Sequence, residues 1–114
     1  MGTLRECIFN TVDIERETVR AWGKDIEVRT MSGAGRADYL AAAMDDSGTV
    51  NKKHMYAAVI IETAFDPSTG ERLFTPADRD AILAKSAKET GKLFDAALKL
   101  AGLTREASEE VKNA

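Results

Sequence analysis

One stretch, Met55 to Phe65, limits what this chain can fold into. It reads Met-Tyr-Ala-Ala-Val-Ile-Ile-Glu-Thr-Ala-Phe, and Glu62 is its only charged residue. At about 100° per residue, Val59, Ile60 and Ile61 point in three directions, and Ala57 and Phe65 fill much of the rest. A helix that is apolar nearly all round is one that neighbours surround. Val-Ile-Ile also favours a strand over Ala58 to Thr63. The run extends back through Asn51, Lys52, Lys53 and His54 without Gly or Pro. That length favours a central helix from about Val50 to Phe65, started by the Ser47-Gly48-Thr49 turn, which the rest of the chain must cover.

At 114 residues, 44% hydrophobic and 31% charged, the chain suits one soluble globular domain with one modest core. Its net charge of -3 argues against a general nucleic-acid binder, which is usually basic with Lys and Arg clustered on one face. Cys7 is the single cysteine and cannot form an internal disulfide. No run reaches the roughly 18 apolar residues of a membrane span. The start, Met-Gly-Thr-Leu-Arg-Glu, lacks the apolar core of a signal peptide. The expected setting is therefore cytoplasmic, with neither nucleic acid nor membrane as a partner.

Residues 1–16 are expected to form a flexible arm, with at most a short strand near Ile8, because Asn10, Thr11 and Asp13 interrupt the apolar positions. From Glu17 to Met31 the spacing predicts a β-hairpin about a two-residue Gly23-Lys24 turn. That register sets Trp22 opposite Asp25, Ala21 opposite Ile26, Arg20 opposite Glu27 and Val19 opposite Val28. One face then carries Val19, Ala21, Ile26 and Val28, and the other a charge pair and Trp22.

Ser32 is the expected N-cap of a helix over about 33–44, whose Tyr39, Leu40, Ala43 and Met44 share a side. After the central helix, Asp66-Pro67-Ser68-Thr69-Gly70-Glu71 is a turn, and Arg72-Leu73-Phe74 is extended and tucks Leu73 or Phe74 under the core. Thr75, Pro76 and Asp78 start a helix over about 76–85. Ser86 and Glu89 have capping-box spacing and start another over about 87–101. That last helix is the cleanest amphipathic element, with Leu93, Phe94, Ala97, Leu98, Leu100 and Ala101 on one face. Gly91 offers it a close approach to the central helix. A polar tail, 104–114, follows, with room for one short helix through Val111. The fold class is α+β, predominantly α: an N-terminal β-hairpin packed on a bundle of about four to five helices, in a single domain over residues 17–103.

Residues able to carry chemistry are few. His54 is the only histidine and fits a helix start. Cys7 has no sequence-local His or acid to activate it and fits an inert thiol. One His and one Cys cannot supply the usual zinc set. Asp45-Asp46 suits local hydrogen bonding in a turn, and Glu109-Glu110 are adjacent and do not converge on one ion. Gly33-Ala34-Gly35 precedes a helix but lacks the third Gly of a dinucleotide fingerprint and the Lys-Ser/Thr of a P-loop, which leaves phosphate binding a minor alternative. No catalytic residue, metal or cofactor is expected. The partner-binding candidates are the apolar residues Trp22, Met55, Val59, Leu103 and Val111.

The ordered motifs resemble a known family over Glu17 to Leu103. They are the hairpin Thr-Val-Arg-Ala-Trp-Gly-Lys-Asp-Ile-Glu-Val-Arg, then Met31-Ser32-Gly33-Ala34-Gly35-Arg36-Ala37-Asp38-Tyr39, then the apolar helix. Phe65-Asp66-Pro67-Ser68-Thr69-Gly70-Glu71-Arg72-Leu73-Phe74 follows, and finally a helix holding Leu93-Phe94-Asp95-Ala96-Ala97 and ending Leu100-Ala101-Gly102-Leu103-Thr104. Together they resemble the tail assembly chaperones of long-tailed bacteriophages. The resemblance implies a non-enzymatic protein of the infected host's cytoplasm, absent from the finished virion. Its implied partners are the tape measure protein, which such chaperones keep soluble, the tail tube protein, whose subunits they help recruit, and further copies of itself. A phage structural adaptor such as a head–tail connector component is the alternative, followed by a helix-turn-helix regulator.

Overall fold

The computed structural model describes residues 2–102. Five α-helices are found among them: α1 (Leu4–Asn10), α2 (Gly33–Ala43), α3 (Lys52–Thr63), α4 (Arg79–Leu83) and α5 (Ala87–Leu100). A three-stranded antiparallel sheet is ordered β1 (Arg16–Ala21), β2 (Lys24–Arg29), β3 (Ala64–Phe65). The fold is α+β, as the apolar patterning predicts. The expected helix within 104–111 lies outside the described residues.

The run that constrained the fold is α3. Asn51 caps it by accepting the His54 backbone N–H at 3.1 Å. Ala57, Ala58, Val59, Ile60 and Ile61 are consecutive and all buried, so every side of this segment is covered. α2, α4 and α5 all pack on α3, and α5 also lies against β1 and β2. Ile60, Leu93 and Val28 are the largest fully buried apolar side chains, one each from α3, α5 and the sheet. Thr63 is fully buried among them, and its hydroxyl donates to the Val59 carbonyl at 2.7 Å.

The hairpin differs from expectation in register. Val19 pairs with Ile26, Arg20 with Asp25 and Ala21 with Lys24, so the turn is Trp22-Gly23 and not Gly23-Lys24. Both turn residues have positive φ, 53° for Trp22 and 69° for Gly23, which is the backbone of a type I′ turn. A shift of two residues preserves the alternation of faces. Val19, Ala21, Ile26 and Val28 therefore still share the inner face, while Arg20 pairs with Asp25 at 3.0 Å in place of Glu27.

Four further expectations are corrected. Ile8 lies in helix α1 and not in a strand, and α1 buries none of its residues. Two residues that continue the central helix in the sequence instead form β3, where Ala64 pairs with Val28 and Phe65 with Glu27. The helix expected over 76–85 is a 3-10 turn at Pro76–Asp78 followed by the short α4. In α2 the residues facing the core are Gly35, Tyr39 and Ala43, while Leu40 and Met44 are about half exposed. Small residues face α3 because they let the two helices approach closely.

Ser32 caps α2 as expected, accepting the Gly35 N–H at 3.1 Å. Ser86 caps α5 through the Lys88 N–H at 3.2 Å, but Glu89 completes no capping box and instead lies 2.8 Å from Lys92 Nζ. The Asp66 carboxylate orders the turn before Arg72 by accepting the Ser68 N–H and hydroxyl. Phe74 packs on the core, while Leu73 remains exposed.

Candidate functional site

The residues with catalytic or metal-binding character are dispersed. Among the described residues, no three of His, Cys, Asp and Glu are grouped so as to hold a metal ion. Cys7 is exposed on α1. Asp45 serves its own turn, accepting from the Ser47 hydroxyl and from the Ser47 and Thr49 N–H groups. The Ser47 hydroxyl is the main cause that holds the Asp45 carboxyl below its usual range. No helix of the described residues is long and apolar enough to cross a membrane.

The Gly33-Ala34-Gly35 segment is unsuited to a phosphate. Gly35 is buried, and a Cβ there would meet Glu62 Oε2 at 3.3 Å and Met31 Cγ at 3.1 Å. The opening of α2 thus already faces a carboxylate, the charge that a helix N-terminus favours. Glu62 is held in turn by Arg72 at 2.9 Å. This accounts for the one charged residue in the central apolar run.

The most distinctive apolar surface is built around Trp22. Positive φ is uncommon for a bulky non-glycine residue and carries strain of order 1–3 kcal/mol. The turn that imposes it carries Trp22 beyond the ends of both strands, with the residue 37% exposed. Trp22 and Leu73 line two adjoining grooves. The smaller, about 240 Å³, is walled by Ala21, Ile26, Phe65 and Pro67, with Lys24, Asp25 and Asp66 also lining it. The larger, about 440 Å³, is walled by Ile60, Phe74, Ala81 and Ile82, with Asp78 and Lys85 at its rim. The result is an open trough, apolar over most of its lining with charged residues among it, suited to an apolar side chain or helix face.

Among the described residues, Trp22 stands apart from the other expected partner residues, Met55 and Val59, which are four residues apart on α3. Trp22 is at the hairpin apex. Met55 is half-buried in the first half of α3. Val59 is 5% exposed, in the core, and its edge lines a separate depression with Met31, Tyr39 and Leu100. Leu103 and Val111 lie outside the described residues. Leu73 was missed as a surface residue. Its neighbour Phe74 is the one that tucks inward, and alternation along an extended segment is the signal that separates them.

No family model matches the sequence, and no curated protein matches it. A search of solved structures finds the bacteriophage HK97 tail assembly chaperone, with a TM-score of 0.60. This chain shares the fold of a phage tail assembly chaperone. The match spans 85% of this chain and 91% of the HK97 chaperone, so it takes in nearly the whole architecture of both. Sequence identity is 16%, and the likeness to the HK97 chaperone is one of fold.

Proposed function

We propose that this protein is a phage tail assembly chaperone. It binds the tape measure protein, keeps it soluble and helps recruit tail tube subunits, acting in the host cytoplasm and leaving before the virion is complete. It does so by contact, without chemistry of its own, and in company with further copies of itself. The likeness in fold to the HK97 chaperone supports the general role. The observation that carries the binding role is Trp22, held at a φ of 53° at the mouth of two apolar grooves. A turn position that Asn or Gly would occupy without strain instead holds an aromatic residue of the kind that anchors interfaces.

Co-expression with the tape measure protein of the same phage tests the proposal. The chaperone is expected to raise the soluble fraction of the tape measure protein and to co-purify with it. A tape measure protein that stays equally insoluble and is not retained would sink the reading.

A further inference from the structure

We infer that the N-terminal arm of one copy docks in the lysine-rimmed groove of a second copy. The arm carries Leu4, Ile8, Phe9, Val12 and Ile14, five of the ten large exposed hydrophobic residues of the described chain. Such a concentration on a segment that buries nothing of its own marks an interaction element. Thr3 caps its helix by accepting the Glu6 N–H at 3.3 Å, so the arm is presented as a formed element.

The arm is also acidic. Over Leu4 to Glu15 it holds Arg5 against Glu6, Asp13 and Glu15. Its complement is a groove of about 300 Å³ between the start of α3, the end of α4 and the start of α5. Tyr56, Ile82 and Leu83 give this groove an apolar floor, and Lys52, Lys53 and Lys85 stand at its rim with no acid among the lining residues. None of these three lysines makes an ion pair among the described residues, although the chain as a whole is acidic. An apolar acidic segment and an apolar basic groove are complementary in both respects.

A second copy is the favoured occupant because α1 buries none of its residues against its own chain. The arm joins β1 at Arg16, beside the end of α5, where Glu17 meets Lys99 at 3.3 Å. The groove lies at the other end of α5, beside Ala87 and Thr90. The chain's own residues 103–114 are a poorer occupant, since Leu103 and Val111 are their only large apolar side chains.

This inference deepens the self-association proposed above and is tested on the pure chain, without tape measure protein, so either can fail alone. Sedimentation velocity over a range of concentrations reads the assembly. One variant reverses the arm (Glu6→Lys, Asp13→Lys, Glu15→Lys), and another reverses the groove (Lys52→Glu, Lys53→Glu, Lys85→Glu). All six side chains are on the surface or at its rim, and coincident thermal melts confirm that the folds are intact. Each variant alone is expected to associate at least about tenfold more weakly than wild type, and the two mixed are expected to recover association with each other. A wild-type chain that stays monomeric at every concentration overturns the inference. So does association that survives arm reversal, or that falls with arm reversal but not with groove reversal. A reversed pair that fails to recover when mixed overturns it as well, as does an arm protected from hydrogen exchange in the monomer, the sign of docking on its own chain or tail.

Discussion

Arg72 Nη1 lies 2.9 Å from Glu62 Oε2 and ties the last turn of α3 to the segment that leaves the Asp66 turn. The Glu62 side chain is 10% exposed and that of Arg72 is 49% exposed, so the carboxylate depends on this cation more than the reverse. Arg72→Met is expected to lower the unfolding free energy by about 1 kcal/mol, a value discounted for the exposure of the arginine. Adding Glu62→Gln should recover part of the loss. Urea unfolding of the full double-mutant cycle measures the coupling, and a coupling indistinguishable from zero would show that the pair is incidental.

Two helical glycines should respond differently to one methyl group. At Gly91 an added Cβ would lie 3.8 Å from Tyr56 Oη, ordinary contact, so the close approach expected of this residue is not required. Gly91→Ala should raise stability by about 0.5–1 kcal/mol through helix propensity. Gly35→Ala should give no such gain, because its methyl group would crowd Met31 Cγ and Glu62 Oε2. Parallel thermal melts decide the point, and equal gains at both sites would contradict it.

Trp22→Asn separates folding from binding. Asn suits the first position of a type I′ turn, so relief of left-handed strain offsets lost apolar contact, and stability should change by less than about 1 kcal/mol. Retention of tape measure protein in co-purification should fall sharply. If the variant keeps its partner as well as wild type does, the trough beside Trp22 is not where the partner sits.

Glu89 should make part of the stability depend on pH. The Lys92 ammonium, assisted by the Trp22 backbone N–H, holds its carboxyl below the ordinary glutamate value of 4.5. A carboxyl whose pKa is depressed in the folded state stabilises above the unfolded value, and the benefit is lost as pH falls through the folded value. The melting-temperature gap between wild type and Glu89→Gln should thus be open at neutral pH and close below about pH 4.5. A gap that stays constant down to pH 3 would rule out this charge as its origin.

The elements legible in the sequence were those whose signals are local and redundant. The apolar run of α3, the Ser32 and Ser86 caps, the Asp66 turn and the alternating faces of the hairpin all fall in this class. The hairpin register was not legible because moving the turn by one residue shifts the pairing by two and gives the same faces, and only the backbone of Trp22 distinguishes the two turns. The inward face of α2 was legible in Tyr39 and Ala43 but not in Gly35, because Leu40 and Met44 outweigh a glycine in hydrophobicity, whereas helix proximity selects the small residue. For α1 the signal was present: Thr3 and Glu6 have capping-box spacing, and Thr3 does cap the helix. Of the candidate site, Trp22 was identifiable as an unusual exposed aromatic. The trough beside it was not, because its walls come from Ala21, Ile60, Leu73 and Ile82, which are far apart in the chain.

The pairing of Val28 with Ala64 carries a consequence for the order of folding. The two residues are neighbours in the sheet, yet the whole of α2 and α3 lies between them. The hairpin of β1 and β2 and the packed pair of α2 and α3 each need only local loops, while β3 must close the long one, at an entropic cost that grows with its length. The third strand is therefore expected to lock in last, after the helices have brought Ala64 to the sheet. In a chevron experiment Ala64→Gly should then speed unfolding while leaving refolding nearly unchanged, and a slowed refolding arm would reverse the order.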